Sequence, residues 1–203
     1  CKKPICGCRH LIKLSKFALG KRIKIANKLY HIVTKQEIRQ YIREQFRKKT
    51  TEELRTASDL LCQKIFDSKI YANNSVSIIL AYHSLWDELC TNALISKLYD
   101  AGYTILLPVV TGVDIILKKY NGTERLKLGQ FGIMEPVGEI FGQDRYSEID
   151  LALIPGRAFT IDGKRLGRGK GYYDRLLPAL NCPRVGVCFP FQIVDDIPCE
   201  PHD

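Results

Sequence analysis

The sequence runs Leu151-Ala-Leu-Ile-Pro-Gly156 and then, after a short loop, Arg165-Leu-Gly-Arg-Gly-Lys-Gly-Tyr-Tyr-Asp-Arg175, and these two stretches decide the fold. The first is a short apolar run stopped by a Pro-Gly pair, which is typical of a buried strand. The second is a glycine-rich loop, and the leucines that follow it up to position 180 can share one side of a helix. In open α/β sheets, ligands bind outside the carboxyl ends of the strands. The order strand, loop, helix therefore predicts a ligand site at that edge of a sheet.

The glycine-rich loop has the composition of a phosphate site. Gly167, Gly169 and Gly171 alternate with cationic residues, and a glycine lets the backbone approach a ligand because it has no Cβ. Exposed backbone N–H groups and fixed positive charge are what a polyphosphate requires. Tyr172 and Tyr173 add flat apolar faces, and the carboxylate after them could hold a hard cation. A solvated turn is the alternative, since the glycine spacing matches neither the P-loop nor the dinucleotide fingerprint.

The charge distribution argues against a basic nucleic-acid surface on the folded part of the chain. The chain has 203 residues, of which 45% are hydrophobic and 26% charged, as in an ordinary single globular domain. Its net charge is +9, but residues 1–34 hold nine Lys or Arg and no Asp or Glu. From position 35 onward, 22 basic residues face 22 acidic ones. The excess positive charge therefore belongs to the leader, and we expect no nucleic-acid partner.

The leader and the cysteines bear on location. Residues 1–34 are acid-free like a transit peptide but poor in serine. We predict a poorly ordered basic extension there, whether a transit segment, an unusual extension or upstream sequence. No apolar run approaches the roughly 20 residues that span a bilayer, so no membrane contact is expected. The eight cysteines contain no Cys-x-x-Cys pair, and we expect those beside apolar residues, Cys62, Cys90 and Cys188, to be small buried hydrophobes. This fits a cytoplasmic protein.

The hydrophobic pattern beyond the leader predicts alternating helices and strands. Helices are expected over 35–48, 52–69, about 88–100 and 172–180, with Thr34 and Thr51 as caps of the first two. Strands are expected over 76–82, 104–110, 114–120, 151–154 and 184–189, the second and third joined as a hairpin, while 126–141 reads as a loop. The fold class predicted is a three-layer α/β/α Rossmann-like domain with a mostly parallel sheet.

Five segments, in order along the chain, resemble the 5-formyltetrahydrofolate cyclo-ligase family. They are Lys35-Gln-Glu-Ile-Arg39, Asp87-Glu-Leu-Cys-Thr91, the strand that ends at Gly156, the glycine-rich loop, and a closing stretch from Phe191-Gln192 to Ile197-Pro-Cys-Glu-Pro-His-Asp203. The likeness covers about 35–203, which we take as the catalytic domain. The family's usual C-terminal tail has no counterpart here, so we expect that the domain is truncated at that end.

The resemblance implies an enzyme that uses ATP and Mg²⁺ to close 5-formyltetrahydrofolate to 5,10-methenyltetrahydrofolate, with release of ADP and phosphate. The formyl oxygen would first be phosphorylated to an iminium phosphate. The enzyme would act on small molecules, ATP and the folate, and would be a monomer. No Ser-His-Asp or Cys-His grouping is evident in the sequence, and phosphoryl transfer depends on positioning and charge more than on a protein nucleophile.

The resemblance also assigns roles to individual residues. The ATP site would comprise Lys35, Arg39, Arg165, Leu166, Gly167, Arg168, Gly169, Lys170, Gly171, Tyr172 and Tyr173. The folate site would comprise His83, Glu88, Arg168, Gly169, Lys170, Gly171 and Tyr172. Within these sets, the catalytic residues would be Glu88, Arg168, Lys170 and Tyr172. Asp174 and Asp203 would ligate Mg²⁺.

Structural alternatives exist for several of these residues. Lys35 and Arg39, one turn apart, could form a solvated helix face, and Glu88 could simply begin a helix, where an acid is favoured. Asp174 could pair with Arg175, and Asp203 could belong to a frayed end. Trp86 could stack on a pterin ring or only fill space. The family usually carries Asp where Thr160 stands, which leaves the role of that position open.

Three other functions fit parts of the sequence. One is a sugar-phosphate isomerase or an acyl-CoA transferase of similar architecture. Such an enzyme uses a glutamate as acid/base or nucleophile and does not require an ATP-binding loop. A nucleic-acid-binding module could act through the basic leader, with an affinity that falls steeply with salt. A folate-binding protein that has lost catalysis is the third alternative.

Overall fold

The structure of the protein is a computed structural model that describes residues 34–68 and 76–199. Residues 1–33 of the leader, the segment 69–75 and Asp203 lie outside the described residues. The predictions made for the leader and for Asp203 as a metal ligand therefore stay predictions. Thr34 is described and caps the first helix, as predicted.

Four helices and ten strands follow one another along the described chain. The helices are α1 (Lys35–Arg47), α2 (Thr51–Asp67), α3 (Asn92–Asp100) and α4 (Tyr172–Leu176). The strands are β1 (Ile78–Leu80), β2 (Thr104–Thr111), β3 (Asp114–Lys119), β4 (Leu126–Leu128), β5 (Met134–Pro136), β6 (Ile140–Phe141), β7 (Leu151–Ile154), β8 (Ala158–Phe159), β9 (Arg165–Leu166) and β10 (Arg184–Gly186). In these ranges no helix has both the length and the apolar character that crossing a bilayer needs.

Six of the strands form the central sheet, in the order β10-β7-β1-β2-β3-β6. The neighbours β10, β7, β1 and β2 are parallel, whereas β3 runs antiparallel to both β2 and β6. The predicted α/β class with a mostly parallel sheet and one hairpin is thus confirmed. From β1 the chain moves outward to β2 on one side, while β7 and β10 lie on the other. The loops after β1 and β7 therefore diverge at a topological switch point, where such sheets bind ligands.

Two apolar cores lie on opposite faces of the sheet, so the molecule has three layers. On one face, α1 to α3 pack against inward residues of β1, β2, β7 and β10, and α1 contributes Ile38, Ile42 and Phe46. On the other face, Leu80 and Leu106 pack with α4 and short 3₁₀ turns. This second layer is thinner than a full helical layer.

The prediction of one helix over 172–180 is wrong in length. Helix α4 ends at Leu176, and a 3₁₀ turn, Leu177–Ala179, follows it. Pro178 explains the early end: it has no N–H to donate and its ring clashes with the carbonyl four residues back.

The predicted N-cap of α2, Thr51, is also wrong. Thr50, not Thr51, accepts from Glu53 and forms a reciprocal capping box with it.

Several further boundaries differ from the sequence prediction. The strands expected over 76–82 and 184–189 are shorter, since β1 is Ile78–Leu80 and β10 is Arg184–Gly186. The third helix begins at Asn92 rather than near 88, and Thr91 donates its hydroxyl to the carbonyl of Tyr82, which closes a loop before the helix. The segment 126–141 is not a loop: it contains β4 and β5, paired as an antiparallel ribbon, and the edge strand β6. These strands are short and are separated by glycines and prolines, so the sequence shows no clear alternation of apolar and polar residues along them.

A glycine beside the central phenylalanine leads to a stability prediction. A Cβ on Gly186 would lie 2.6 Å from the Phe159 ring, which is fully buried. Because this ring has no free space to move into, Gly186→Ala should lower the free energy of unfolding by about 1–3 kcal/mol, as measured by urea denaturation. Adding Phe159→Leu should recover part of the loss if crowding is the cause. An unchanged urea midpoint for the single variant would contradict this account.

Candidate functional site

A cavity of about 370 Å³ opens where the loops after β1 and β7 diverge. The loop after β1 contributes residues from Tyr82 to Glu88, and the loop after β7 contributes Pro155 and Gly156. The glycine-rich loop forms another wall. The remaining lining comes from β2, β3 and the segment around β5, namely Pro108, Val110, Ile115, Phe131, Ile133 and Glu135. The loop after β1 and the glycine-rich loop thus give the cavity acidic and cationic residues, whereas β2 and β3 give it apolar ones.

The glycine-rich loop requires two of its three glycines for backbone reasons. Gly169 has φ +97° and Gly171 has φ +70°, a left-handed region that residues with a Cβ avoid. Gly167 has no such conformation. Arg165 and Leu166 precede the turn as β9, which pairs with β8 in a hairpin that the sequence did not predict. This hairpin fixes where the loop leaves the sheet.

Helix α1 is joined to the glycine-rich loop by a direct hydrogen bond. Nε of Arg39 donates to the carbonyl of Gly167 at 2.9 Å, across 128 positions of sequence. The alternative of a solvated helix face therefore does not hold for Arg39. Lys35 lies one helical turn earlier on α1. The structure thus brings the first and the fourth of the family-like segments together.

Arg168 reaches across the cavity to two neighbouring carboxylates. Its Nε donates to Oε1 of Glu88 at 3.1 Å, and both of its terminal nitrogens donate to Asp87. Asp87 is 2% exposed and also pairs with Arg157. Burial opposes ionisation of Asp87, but the hydrogen bonds and positive charges of Arg168 and Arg157 outweigh it and hold its pKa below the ordinary value. Asp87 therefore stays ionised and fixes the Arg168 guanidinium.

Glu88 lies in the loop after β1, so the alternative that it begins a helix is wrong. Its second oxygen, Oε2, accepts from the backbone N–H of Leu85 at 3.0 Å. With Arg168 on the other oxygen, the carboxylate is held in one orientation and faces the cavity.

Tyr82 and His83 line the same cavity, and each has a buried polar atom without a hydrogen-bond partner within the described residues. These atoms are the Tyr82 hydroxyl and Nδ1 of His83. Burial raises the pKa of Tyr82 and lowers the pKa of His83, which favours neutral forms of both.

The loop's aromatic and acidic residues also border the cavity. Lys170, Tyr172, Tyr173 and Asp174 belong to its lining. Asp174 pairs with Arg165 at 2.5 Å, not with Arg175 as the alternative had it. Arg175 instead donates to Asp114 at 3.1 Å. In the two described ranges no cluster of three His, Cys, Asp or Glu residues suited to a metal occurs.

Sequence reasoning missed the role of several residues at this site. The sequence prediction gave no role to Asp87 or Arg157, although both are charged residues in loops that follow buried strands, where such sheets bind ligands. Gln192 is 1% exposed and donates to the carbonyls of Gly156 (2.9 Å) and Arg157 (3.1 Å). Its amide therefore holds the loop after β7 in place.

Two residues left open by the sequence take clear positions. Thr160 is fully buried, and its hydroxyl accepts from the backbone N–H of Lys164 at 2.9 Å, closing the β8–β9 turn. Trp86 borders the cavity while 80% exposed. This placement favours a ligand-stacking position over core packing.

Fold and site together define a class: an α/β protein with a cationic, glycine-rich loop at the switch point of a mostly parallel sheet. Comparison with known proteins narrows this class. A family model described as the 5-formyltetrahydrofolate cyclo-ligase family matches residues 31–203. The chain belongs to that family of enzymes.

Relatives and a solved structure agree with this assignment. The 5-formyltetrahydrofolate cyclo-ligase of Mycolicibacterium smegmatis is 35% identical over 134 residues, 62% of this chain and 68% of that protein. The mouse (Mus musculus) protein of the same name is 29% identical over 187 residues, 83% of this chain and 89% of its own length. The solution structure of Aquifex aeolicus 5,10-methenyltetrahydrofolate synthetase superimposes with a TM-score of 0.69 at 32% identity, covering 82% of this chain and 83% of that one.

Proposed function

We propose that this protein converts 5-formyltetrahydrofolate to 5,10-methenyltetrahydrofolate at the expense of ATP, releasing ADP and phosphate. One observation carries the proposal: the cationic glycine-rich loop and the fixed carboxylate of Glu88 line a single cavity. The loop provides what a polyphosphate needs and the carboxylate provides an acceptor for the folate's N–H groups. The names of the relatives support the ring closure of 5-formyltetrahydrofolate.

The chemistry explains why ATP is required. A formamide is a poor electrophile, and its oxygen cannot leave as hydroxide or oxide. In the proposed first step, the formyl oxygen attacks the γ-phosphorus and ADP leaves, which gives an iminium phosphate on N5. In the second step, N10 attacks the formyl carbon, the N10 proton is lost, and the C–O bond breaks as phosphate departs. The product is the 5,10-methenyl cation.

The residues of the site divide between these two steps. Lys35, Arg39 and the loop Arg165–Tyr173 would hold the phosphates, and Lys170 and Arg168 would neutralise charge as it moves from the γ-phosphate. Glu88 and His83 would hold the folate near its reacting nitrogens. Tyr172 would form the wall between nucleotide and folate. No protein nucleophile is needed, because the reaction depends on in-line placement.

Magnesium fits the acidic residue Asp174 at the edge of the loop. Asp174 is a hard oxygen donor, its carboxylate is 63% exposed, and its present partner Arg165 is itself a cation of the loop. We propose that Asp174 and Asp203 hold Mg²⁺, with water and phosphate oxygens completing its shell. The ion would supply further neutralisation of the phosphates. Arg165 would then be free to contact a phosphate.

A coupled assay tests the proposed function. With 5-formyltetrahydrofolate, ATP and Mg²⁺, the near-ultraviolet absorbance of the methenyl product should rise, and one ADP should form per product. Equal turnover without nucleotide would refute the proposal and favour an isomerase-like or transferase-like activity. Tight folate retention with no ATP consumption would instead indicate a binding protein that has lost catalysis.

The proposal extends to location and partners. We propose a cytoplasmic monomer that has no nucleic-acid partner, in which residues 35–203 form the catalytic domain and the basic leader is dispensable for turnover. Deletion of residues 1–33 should leave the rate unchanged. Loss of all function on deletion, together with salt-sensitive binding of nucleic acid by the full chain, would favour the nucleic-acid module.

Replacing Glu88 by glutamine tests its assignment to the folate. Glu88→Gln removes the charge while an amide oxygen can still accept from Leu85, so the loop should keep its shape. We expect KM for 5-formyltetrahydrofolate to rise about 20-fold and KM for ATP to change less than about threefold, since the lost contact is charge-assisted. Steady-state kinetics with each substrate varied in turn would measure both. A larger effect on ATP than on folate would contradict the assignment.

A further inference from the structure

Glu135 is a buried carboxylate that faces the cavity without a partner. It is the middle residue of β5, is 7% exposed, and belongs to the cavity lining. Within the described chain, no hydrogen bond or ion pair joins its carboxylate to another residue, in contrast to Glu88, whose two oxygens are both bonded. The oxygens of Glu135 are not among the fully enclosed unpaired polar atoms of the described residues, so they are open to the cavity. A largely buried residue that keeps an unpaired carboxylate open to a cavity is expected to accept hydrogen bonds from a ligand.

No cation of the protein pairs with Glu135 within the described residues: Arg165 and Arg168, which line the same cavity, bond to other groups. Other residues that line the cavity are apolar, namely Pro108, Val110, Ile115 and Ile133. Lys127 is opposite Glu135 in the β4–β5 register, but it is exposed and its ammonium is not within ion-pair distance of the carboxylate. Low polarity around the carboxylate strengthens any hydrogen bond that a ligand donates to it.

The chain also fixes the carboxylate's position from behind. A Cβ on Gly129 would lie 2.0 Å from Cδ of Glu135 and 2.2 Å from Oε2. The acid side chain therefore occupies the space that any other residue at position 129 would fill. The backbone at Gly129 has φ −106°, which other residues also adopt, so this glycine is needed for room and not for its conformation.

We propose that Glu135 is the residue that recognises the pterin ring, accepting hydrogen bonds from N3–H and from the 2-amino group. The pyrimidine part of a pterin presents these two donors side by side on one edge, in the fork arrangement that pairs with a carboxylate in arginine–carboxylate contacts. The apolar residues would contact the flat faces of the ring. This inference rests on the proposed function, since it assumes a folate substrate. It identifies the residue that binds the pterin end of the substrate, which lies away from the phosphates.

Calorimetry of 5-formyltetrahydrofolate binding, without ATP turnover, tests the proposal on the intact chain. Glu135→Gln should weaken binding about 30-fold, since a charge-assisted pair of bonds is lost. Gly129→Ala keeps the charge but displaces the carboxylate, and it should weaken binding about tenfold. Glu139→Gln removes an equivalent charge from an exposed ion pair with Lys119 and should bind within about twofold of the parent. ATP affinity should change less than about twofold in all three variants.

A folate analogue with a methyl group in place of the 2-amino group identifies the atoms involved. The parent protein should bind it about tenfold more weakly than 5-formyltetrahydrofolate, and Glu135→Gln should add less than a further threefold or so. Equal losses for both ligands, or unchanged folate affinity in Glu135→Gln, would overturn the proposal. If that variant does not fold, unchanged affinity in Gly129→Ala would overturn it instead.

The outcomes separate this inference from the proposed function. Parent protein that binds 5-formyltetrahydrofolate through Glu135 but forms no methenyl product with ATP would refute the proposed function and leave the pterin contact standing. Normal turnover with an unaffected Glu135→Gln variant would refute the pterin contact alone. Absence of any folate binding by the parent protein would overturn both.

Discussion

Replacing Arg168 by alanine should lower kcat/KM for 5-formyltetrahydrofolate about a thousandfold and weaken the fold at the same time. The guanidinium is the group that links the glycine-rich loop to the loop after β1, through Glu88 at 3.1 Å and through Asp87. Its removal takes a positive charge from the site and frees Glu88 to change its orientation. Both steps of the reaction depend on placement, so both should suffer.

The same replacement leaves Asp87 buried with only Arg157 as its ionic partner. Removing one partner of a buried ion pair costs several kcal/mol when nothing else compensates; with Arg157 retained, we expect about 2 kcal/mol. Urea denaturation near neutral pH would measure this loss. The matched control is Arg145→Ala, which breaks a two-bond arginine–carboxylate pair with Glu148 on the exposed surface. It should cost less than about 1 kcal/mol and leave activity unchanged.

The pH dependence gives an independent check of the Arg168 contact. The pKa of Asp87 is lowered in the folded protein, so its ionised form stabilises the fold above the ordinary pKa of 3.8, and this contribution is lost as the pH falls through the folded value. Without Arg168 the pKa of Asp87 should rise, and acid unfolding should begin at a higher pH than in the parent. Coincident acid-unfolding curves for parent and variant would contradict the assignment, and so would unimpaired catalysis in the variant.

The sequence was sufficient for five of the six strands of the central sheet, but not for β6 or for the far side of the cavity. Strand β7 has the predicted bounds 151–154 because an uninterrupted apolar run between Asp150 and the Pro155-Gly156 pair leaves little choice. In contrast, the sequence predicts a loop at β5, because a three-residue strand that ends in a proline has no measurable alternation of apolar and polar residues. Glu135 lies on that strand and was missed with it. The prediction of strands failed where the strand is too short for its residue pattern to be recognised in the sequence.

The contacts that assemble the site join residues far apart in the sequence, so no local sequence pattern predicts them. Arg39 and Gly167 are 128 positions apart, and Arg168 and Asp87 are 81 apart. The resemblance to the family named Arg39, Glu88 and Arg168 separately, and it could not state that a buried carboxylate orients Arg168. That relation follows from the parallel sheet, which brings the loops after β1 and β7 to the same edge. Fold class was therefore needed before the electrostatics of the site could be derived.

Replacing Gly169 by alanine should reduce ATP affinity about 100-fold, because the conformation of the loop depends on that glycine. Gly169 has φ +97°, and a Cβ there would lie 3.8 Å from the nearest atom of Arg39, an ordinary contact. Crowding is therefore excluded, and the effect of the substitution is confined to the backbone. Relief of about 1–2 kcal/mol of strain would rotate the neighbouring peptides and turn their N–H groups away from the phosphates.

Gly102 provides the matched control for this experiment, since its φ is +93° and a Cβ would have no neighbour within 4 Å. It follows α3 and donates to the carbonyl of Tyr99 at 2.9 Å, and it does not belong to the cavity lining. Gly102→Ala and Gly169→Ala should therefore lose similar unfolding free energy, about 1–2 kcal/mol each. Only the second should lose heat of association with ATP and Mg²⁺ in calorimetry. Equal ATP affinity in the two variants would show that the loop binds phosphate through its side chains alone, because the strain is matched and only its position differs.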